Sequence, residues 1–156
     1  MQLFLRRHGE AEYHARSDRE RELTDSGLTH SKMMSEWLKN SVSEFDLVLV
    51  SPYLRTMQTW ETLSAYFPEP KRVKVLSELV PAADPDMSSR LVMAYAEQFK
   101  AQNVLVISHM PLLGYMVSEL VPGIEPPLFA TSSVALIDFM GKHTSLMWQQ
   151  SPHSIG

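Results

Sequence analysis

A chain of 156 residues, 44% of them hydrophobic and 21% charged, is long enough to bury a core without staples and has the balance of an ordinary globular domain. It contains no cysteine, which excludes disulfides and thiolate metal sites and lends nothing to an oxidising compartment. A net charge of −4 speaks against a general nucleic-acid binder, so clustered arginines in this chain point to a local anion site instead.

The chain opens Met1-Gln2-Leu3-Phe4-Leu5 and then turns basic, the reverse of the charge order in a signal peptide. No apolar run approaches the roughly 20 residues of a membrane span. The expectation is one cytoplasmic domain over residues 1–156, with no membrane and no nucleic acid among its partners.

Leu3 to Leu5 form the first apolar run. Thr24 with Asp25 then opens a helix carrying Leu28, Met34, Trp37 and Leu38. "DLVLVS" (46–51) is too uniformly apolar to be half exposed and reads as a central strand. Ser51 can cap the next helix with Pro52 at its first position, and Met57, Trp60, Leu63 and Phe67 continue it. "YFPEPKR" (66–72) is a loop too short to divide domains, and "VKVL" (73–76) is a short strand. Asp86 can cap a helix whose Leu91, Val92, Tyr95, Ala96 and Phe99 make one stripe. "NVLVIS" (103–108) is another buried strand. Pro111 starts a helix with Leu112, Leu113, Met116, Val117 and Leu120 inward, which Pro122-Gly123 ends. "SVALIDFM" and "TSLMWQ" flank Gly141-Lys142 as a hairpin. Short apolar strands alternating with helical patterns predict an α/β fold with a mainly parallel central sheet.

Three of these strands end alike. The first runs into Arg7-His8-Gly9, the second into "SPYLR" with Arg55, and the third into His109. In open parallel sheets, ligands bind beyond the carboxyl ends of the strands, where loops meet helix N-termini. Two arginines and two histidines converging there suit a phosphoryl group. Arginine's planar fork binds phosphate oxygens and keeps its charge, while histidine can act as nucleophile or as acid and base near neutral pH. Gly9 permits a close backbone approach to a ligand. Each ending alone is an ordinary solvated loop or turn; three on three buried strands are far harder to ascribe to chance.

Zinc sites recruit a third protein ligand, and the arginine cations beside His8 and His109 would repel a metal, so no metal and no cofactor are expected. His14, His30, His143 and His153 lie in polar or turn contexts and read as surface residues. The ten methionines sit mostly at core spacing.

At "RRHGEAE", "RELTDSG", "VLVSPYLRTMQT", "LSELVP", "VLVISHMPLLGYMVSELVPG" and "SPHS", in that order along essentially the whole chain, the sequence resembles the histidine phosphatase superfamily, and more closely its small SixA-type phosphohistidine phosphatases. The resemblance implies a three-layer α/β/α sandwich of the phosphoglycerate mutase type. It implies that His8 is a nucleophile that becomes phosphorylated, with Arg7, Arg55 and His109 around the phosphoryl oxygens and Arg21 reaching the same group. Many members of the superfamily also carry a carboxylic acid that protonates an alkoxide leaving group. Here Glu78 falls near that place but lacks the usual following sequence, and Asp84 and Asp86 are the other candidates, each equally readable as a loop residue or a helix cap.

The function so implied is dephosphorylation of phosphohistidine on a protein, such as a histidine phosphotransfer domain, through a phospho-His8 intermediate and without a metal. The leaving imidazole of a P–N bond needs less acid assistance than an alkoxide. One alternative is a phosphomonoesterase acting on small O-phosphate esters with the same His8. The other is a phospho-ligand binding module that does not turn over.

Overall fold

The computed structural model describes residues 1–155, and their chain order is β1 (Gln2–Arg7), α1 (Asp25–Leu38), β2 (Leu47–Val50), α2 (Leu54–Ser64), β3 (Arg72–Val75), α3 (Pro85–Gln98), β4 (Asn103–Ser108), α4 (Leu112–Leu120), β5 (Val134–Met140), β6 (His143–Gln150) and α5 (Pro152–Ile155). Two 3₁₀ turns, Asp18–Glu20 and Ser77–Leu79, interrupt the loops. The strands make one six-stranded sheet in the order β3-β2-β4-β1-β5-β6. The first four strands are parallel, β5 runs antiparallel to β1, and β6 runs antiparallel to β5.

Both faces of the sheet are covered, which is why β1, β2 and β4 are nearly continuous apolar runs. Phe4, Val48, Val50, Leu105 and Ile107 face one way, against Met34 and Leu38 of α1 and Leu63 of α2. Leu3, Leu5, Leu49, Val104 and Val106 face the other, against Val92 and Ala96 of α3 and Leu113, Met116 and Val117 of α4. The α/β/α layering expected from the sequence is therefore present.

The order of the strands sets the place of the site. From β1 the chain moves outward to β2 and β3, with α1 and α2 on one face, and then returns to insert β4 beside β1, with α3 on the other face. Right-handed crossovers put helices on opposite faces when the winding direction reverses. The connections that leave β1 and β4 consequently diverge, and a crevice opens at the carboxyl ends of those two adjacent strands.

Two helix starts differ from expectation. Ser51 does not cap α2, because the chain runs on past Pro52 and the helix begins at Leu54, with Tyr53 in the cap position. The cap of α3 is Asp84, whose carboxylate accepts the N–H of Asp86 at 3.1 Å, with Pro85 next in line. Asp86 instead sits in the first turn and pairs with Arg90 at 3.1 Å. A proline supplies no N–H, so the residue before Pro85, two positions ahead of the next available donor, makes the better cap. Thr24 caps α1 as expected, accepting from the N–H of Gly27 at 2.9 Å.

Candidate active site

Arg7 lies opposite Ser108 in the β1–β4 ladder, so His8 and His109 are the next residues on two adjacent strands. The His8 backbone is held from both sides: its N–H donates to the Ser108 carbonyl at 3.2 Å, and its carbonyl accepts from Ser132 at 2.9 Å. The two imidazole rings meet with centroids 5.2 Å apart, and both are buried.

The proton on His8 can be placed. Its Nδ1 lies 2.7 Å from the Gly9 carbonyl, which can only accept, so Nδ1 carries the hydrogen and Nε2 keeps its lone pair. Arg55, in the first turn of α2, donates its Nε–H to that same Nε2 at 3.3 Å. A guanidinium has no acceptor, so this contact requires an unprotonated Nε2. Burial is the largest influence on the ring and, with Arg55, Arg7 and Arg21, outweighs the Gly9 bond and pushes the pKa of His8 down to about 3. His8 is thus neutral near pH 7, with burial as the main cause and the neighbouring arginines adding to it.

His109 is held differently. Its Nε2 lies 2.7 Å from the Ser51 hydroxyl, and its Nδ1 is buried without a hydrogen-bond partner. Burial again leads, with His8 and Arg55 adding to it, and its pKa is lowered to about 2. The Tyr53 ring covers this corner, edge-on to His109 at 5.0 Å and 5.0 Å from the Arg55 guanidinium carbon. The hydroxyl of the serine directly after β2 therefore serves the neighbouring strand's histidine, while its carbonyl accepts from the Thr56 hydroxyl of α2 at 2.9 Å.

The cations form a linked set. Arg55 donates through Nη1 to the Asp18 carbonyl at 2.7 Å and through Nη2 to the Asp18 carboxylate at 3.3 Å. Arg21 donates through Nη1 to the other carboxylate oxygen at 2.9 Å and through Nε to the Glu12 carbonyl at 2.6 Å. Asp18 therefore bridges Arg21 to Arg55, and the hydrogen bond from Arg21 is the main reason its carboxyl stays below the usual carboxylate range. Arg7 reaches out on the other side and donates to the Phe129 carbonyl at 2.8 Å. Five donors on each guanidinium leave N–H groups over for an incoming anion.

Arg7, His8, Arg55 and His109 thus surround one crevice, and Arg21 joins them through Asp18. Glu78 does not share in this network. It lies on the Ser77–Leu79 turn, and its carboxylate accepts from the Ser77 hydroxyl at 2.9 Å. That turn is tied to the end of β4 by Ser108, whose hydroxyl donates to the Leu79 carbonyl at 2.7 Å. Asp84 and Asp86 are occupied at the start of α3. The small size of Gly9 also serves the packing of α1. A β-carbon there would meet the Gly27 carbonyl at 2.9 Å, so the glycine admits the first turn of α1, and its N–H binds the Thr59 hydroxyl at 3.1 Å.

Sequence reasoning missed Asp18, Ser51, Tyr53 and Thr59. Asp18 sits in "SDRE", where nothing periodic or motif-like marks it, and Ser51 and Tyr53 lie in "SPYLR", where the Ser-Pro pair imitates a helix cap. Among the described residues no three histidine, aspartate or glutamate side chains are gathered so as to hold a metal ion. No helix among them is long and apolar enough to cross a membrane.

Comparison with known proteins places the chain in a family. The histidine phosphatase superfamily (branch 1) profile matches residues 3–80. The chain is 44% identical to phosphohistidine phosphatase SixA of Escherichia coli strain K12 over 154 residues, covering 97% of this chain and 94% of that protein. It is 34% identical over 161 residues to a phosphohistidine phosphatase SixA homolog of Haemophilus influenzae, covering 97% of each. The solved structure of the protein histidine phosphatase SixA complexed with tungstate superposes with a TM-score of 0.93 at 41% identity, covering all of both chains.

Proposed function

Since the chain belongs to the histidine phosphatase superfamily, we propose that it is a protein phosphohistidine phosphatase that passes the phosphoryl group through Nε2 of His8. The observation that carries this reading is the fixed tautomer of His8: Nδ1–H is tied to the Gly9 carbonyl, and a bare Nε2 faces Arg55. The naming of the relatives supports the substrate class, and tungstate, a tetrahedral oxyanion like phosphate, supports the kind of ligand.

In the first step the Nε2 lone pair of His8 forms a bond to phosphorus while the P–N bond of the substrate breaks in line with it. The bond's electron pair goes to the leaving imidazole, which departs neutral when its other ring nitrogen already carries a proton. No carboxylic acid is then required, in keeping with a Glu78 that points its carboxylate at Ser77. Arg7 and Arg55 neutralise the equatorial oxygens, the neutral His109 ring offers them a single N–H, and Arg21 steadies Arg55 through Asp18; in phosphoryl transfer such preorganised charge supplies most of the acceleration. The 3.3 Å contact from Arg55 to Nε2 is long enough to give way as phosphorus arrives. In the second step water attacks phospho-His8, releases inorganic phosphate and returns the lone pair to Nε2.

The partner on this reading is a cytoplasmic phosphohistidine carrier such as a histidine phosphotransfer domain. The test compares phosphate release from a phosphohistidine-bearing protein with release from phosphoserine and a sugar phosphate, with a chelator present and His8→Ala as control. Release from phosphohistidine that requires His8 and survives chelation is expected. Faster cleavage of the O-esters would move the protein to the phosphomonoesterases, and tight binding without release would make it a binding module.

A further inference from the structure

The cations of the crevice already hold an anion. Asp18 is the only carboxylate among the described residues that pairs with any of these arginines. Its Oδ2 accepts from Nη2 of Arg55 at 3.3 Å and its Oδ1 from Nη1 of Arg21 at 2.9 Å. This charge is felt inside the site. Burial lowers the pKa of Arg55 and Asp18 works against that, as it works against the lowering at His109. The hydrogen bond from Arg21 keeps the Asp18 carboxyl below the usual carboxylate range, so it is ionised at neutral pH.

Asp18 occupies the part of Arg55 that a phosphate would take. A guanidinium offers Nε–H and the adjacent Nη2–H as a parallel pair, the fork that grips two oxygens of one oxyanion. In Arg55 the first of these donors points to Nε2 of His8 and the second to Oδ2 of Asp18, both at 3.3 Å. Firm charge-assisted bonds are shorter, roughly 2.7–2.9 Å, so this edge is loosely held. The contact that anchors the side chain is a different one. Nη1 of Arg55 donates to the backbone carbonyl of Asp18 at 2.7 Å, and the same carbonyl accepts the N–H of Arg21 at 3.3 Å. Arg21 has a second backbone anchor, the Glu12 carbonyl, at 2.6 Å. The carboxylate can therefore release both guanidiniums while the backbone still holds them. It belongs to the 3₁₀ turn Asp18–Glu20 with 57% of its side chain exposed, so leaving the arginines returns it to water.

We propose that the Asp18 carboxylate is a resident competitor of phosphate: it neutralises Arg21 and Arg55 in the empty crevice, yields their N–H groups to the phosphoryl oxygens, and reclaims them as inorganic phosphate leaves. This inference rests on the reading of the crevice as a phosphoryl site at His8. A phosphoryl group on Nε2 brings its oxygens beside the donor that Asp18 holds, and like charges at such separation repel. Each phosphate must displace a charge already in place, so the site binds its product loosely. A half-exposed carboxylate competes only modestly, which suits an exchange that runs in both directions on every turnover.

The test measures the affinity of the full chain for inorganic phosphate by calorimetry, and the inhibition by phosphate of phosphohistidine-peptide hydrolysis. Wild type, Asp18→Asn and Asp18→Ala are compared, with Arg55→Lys as control. Asparagine matches the shape of Asp18 and removes only its charge, and both variants keep the backbone carbonyl that anchors Arg55. Both are expected to bind phosphate about three- to tenfold more tightly and to be inhibited by it at correspondingly lower concentration. KM for the peptide should fall with it. Were Asp18 only a strut for the arginines, Asp18→Asn, which still accepts their hydrogen bonds, would bind phosphate like the wild type and Asp18→Ala more weakly. That pattern, or an affinity unchanged in both variants, overturns the competitor and leaves the role of His8 untouched. Phosphate affinity undiminished in Arg55→Lys, which lacks the fork, would put the anion outside the crevice, and both readings would fall together.

Discussion

At the scale of single residues, the chemistry of the crevice comes down to which ring nitrogen holds a proton. His8 is decided by a backbone carbonyl that cannot donate, whereas His109 meets a hydroxyl that serves either tautomer. Ser51→Ala removes the only hydrogen bond His109 makes to another side chain and frees its ring. A lost bond of this kind is worth about 1 kcal/mol, so kcat should fall several-fold to tenfold with little change in melting temperature. Steady-state kinetics beside a thermal melt would check this, and an unchanged kcat would show that Ser51 does not orient His109. The four residues at the strand ends were legible in the sequence because a polar group directly after a buried apolar run is conspicuous. Asp18 and Ser51 were not, since each acts on a side chain distant in sequence, 37 residues away at Arg55 and 58 at His109.

At the scale of elements, the loop that carries His8 is held in place by the first turn of α1. A β-carbon on Gly27 would run into the backbone carbonyl of Glu10, and backbone cannot swing aside as a flexible side chain can. Gly27→Ala, although it favours a helix locally, is therefore expected to cost about 1–3 kcal/mol and to shift the residues after His8. Urea unfolding together with phosphate affinity reads both effects; a stabilised protein with normal affinity would contradict the packing. The strands and most helices could be read in advance from apolar runs and three- and four-residue spacing. The starts of α2 and α3 could not, because Ser51-Pro52 and Asp84-Pro85 carry the same cap-then-proline pattern and only the second is a true helix start. What separates them is tertiary: the first pair follows a central strand whose final hydroxyl is claimed by His109.

At the scale of the whole molecule, the fold keeps two imidazoles neutral inside a cationic site, and this links stability to pH. The folded-state pKa values of His8 and His109, at about 3 and about 2, lie below the ordinary 6.5, so the unfolded chain binds more protons than the folded one between those limits. Their contribution is present in full above pH 6.5 and is lost as pH falls toward 3. Urea midpoints at pH 7, 5.5 and 4.5 should fall in that order, and His8→Ala should flatten the decline. Neither ring should titrate between pH 5 and 8 by NMR. The reversal of winding between β1 and β4, which creates the crevice, was not readable from the sequence: parallel strands in chain order are compatible with several sheet orders. The convergence of the strand ends was readable, because parallel strands share one carboxyl edge whatever their order.

The most direct measurement is to mix the protein with a phosphohistidine-bearing protein labelled in its phosphoryl group, quench within milliseconds and locate the label on the chain. A phosphoenzyme that is acid-labile and base-stable, attached at Nε2 of His8 and absent from His8→Ala, is the expected result. Label on any other residue, or undiminished phosphate release by His8→Ala, would contradict the passage of the phosphoryl group through His8.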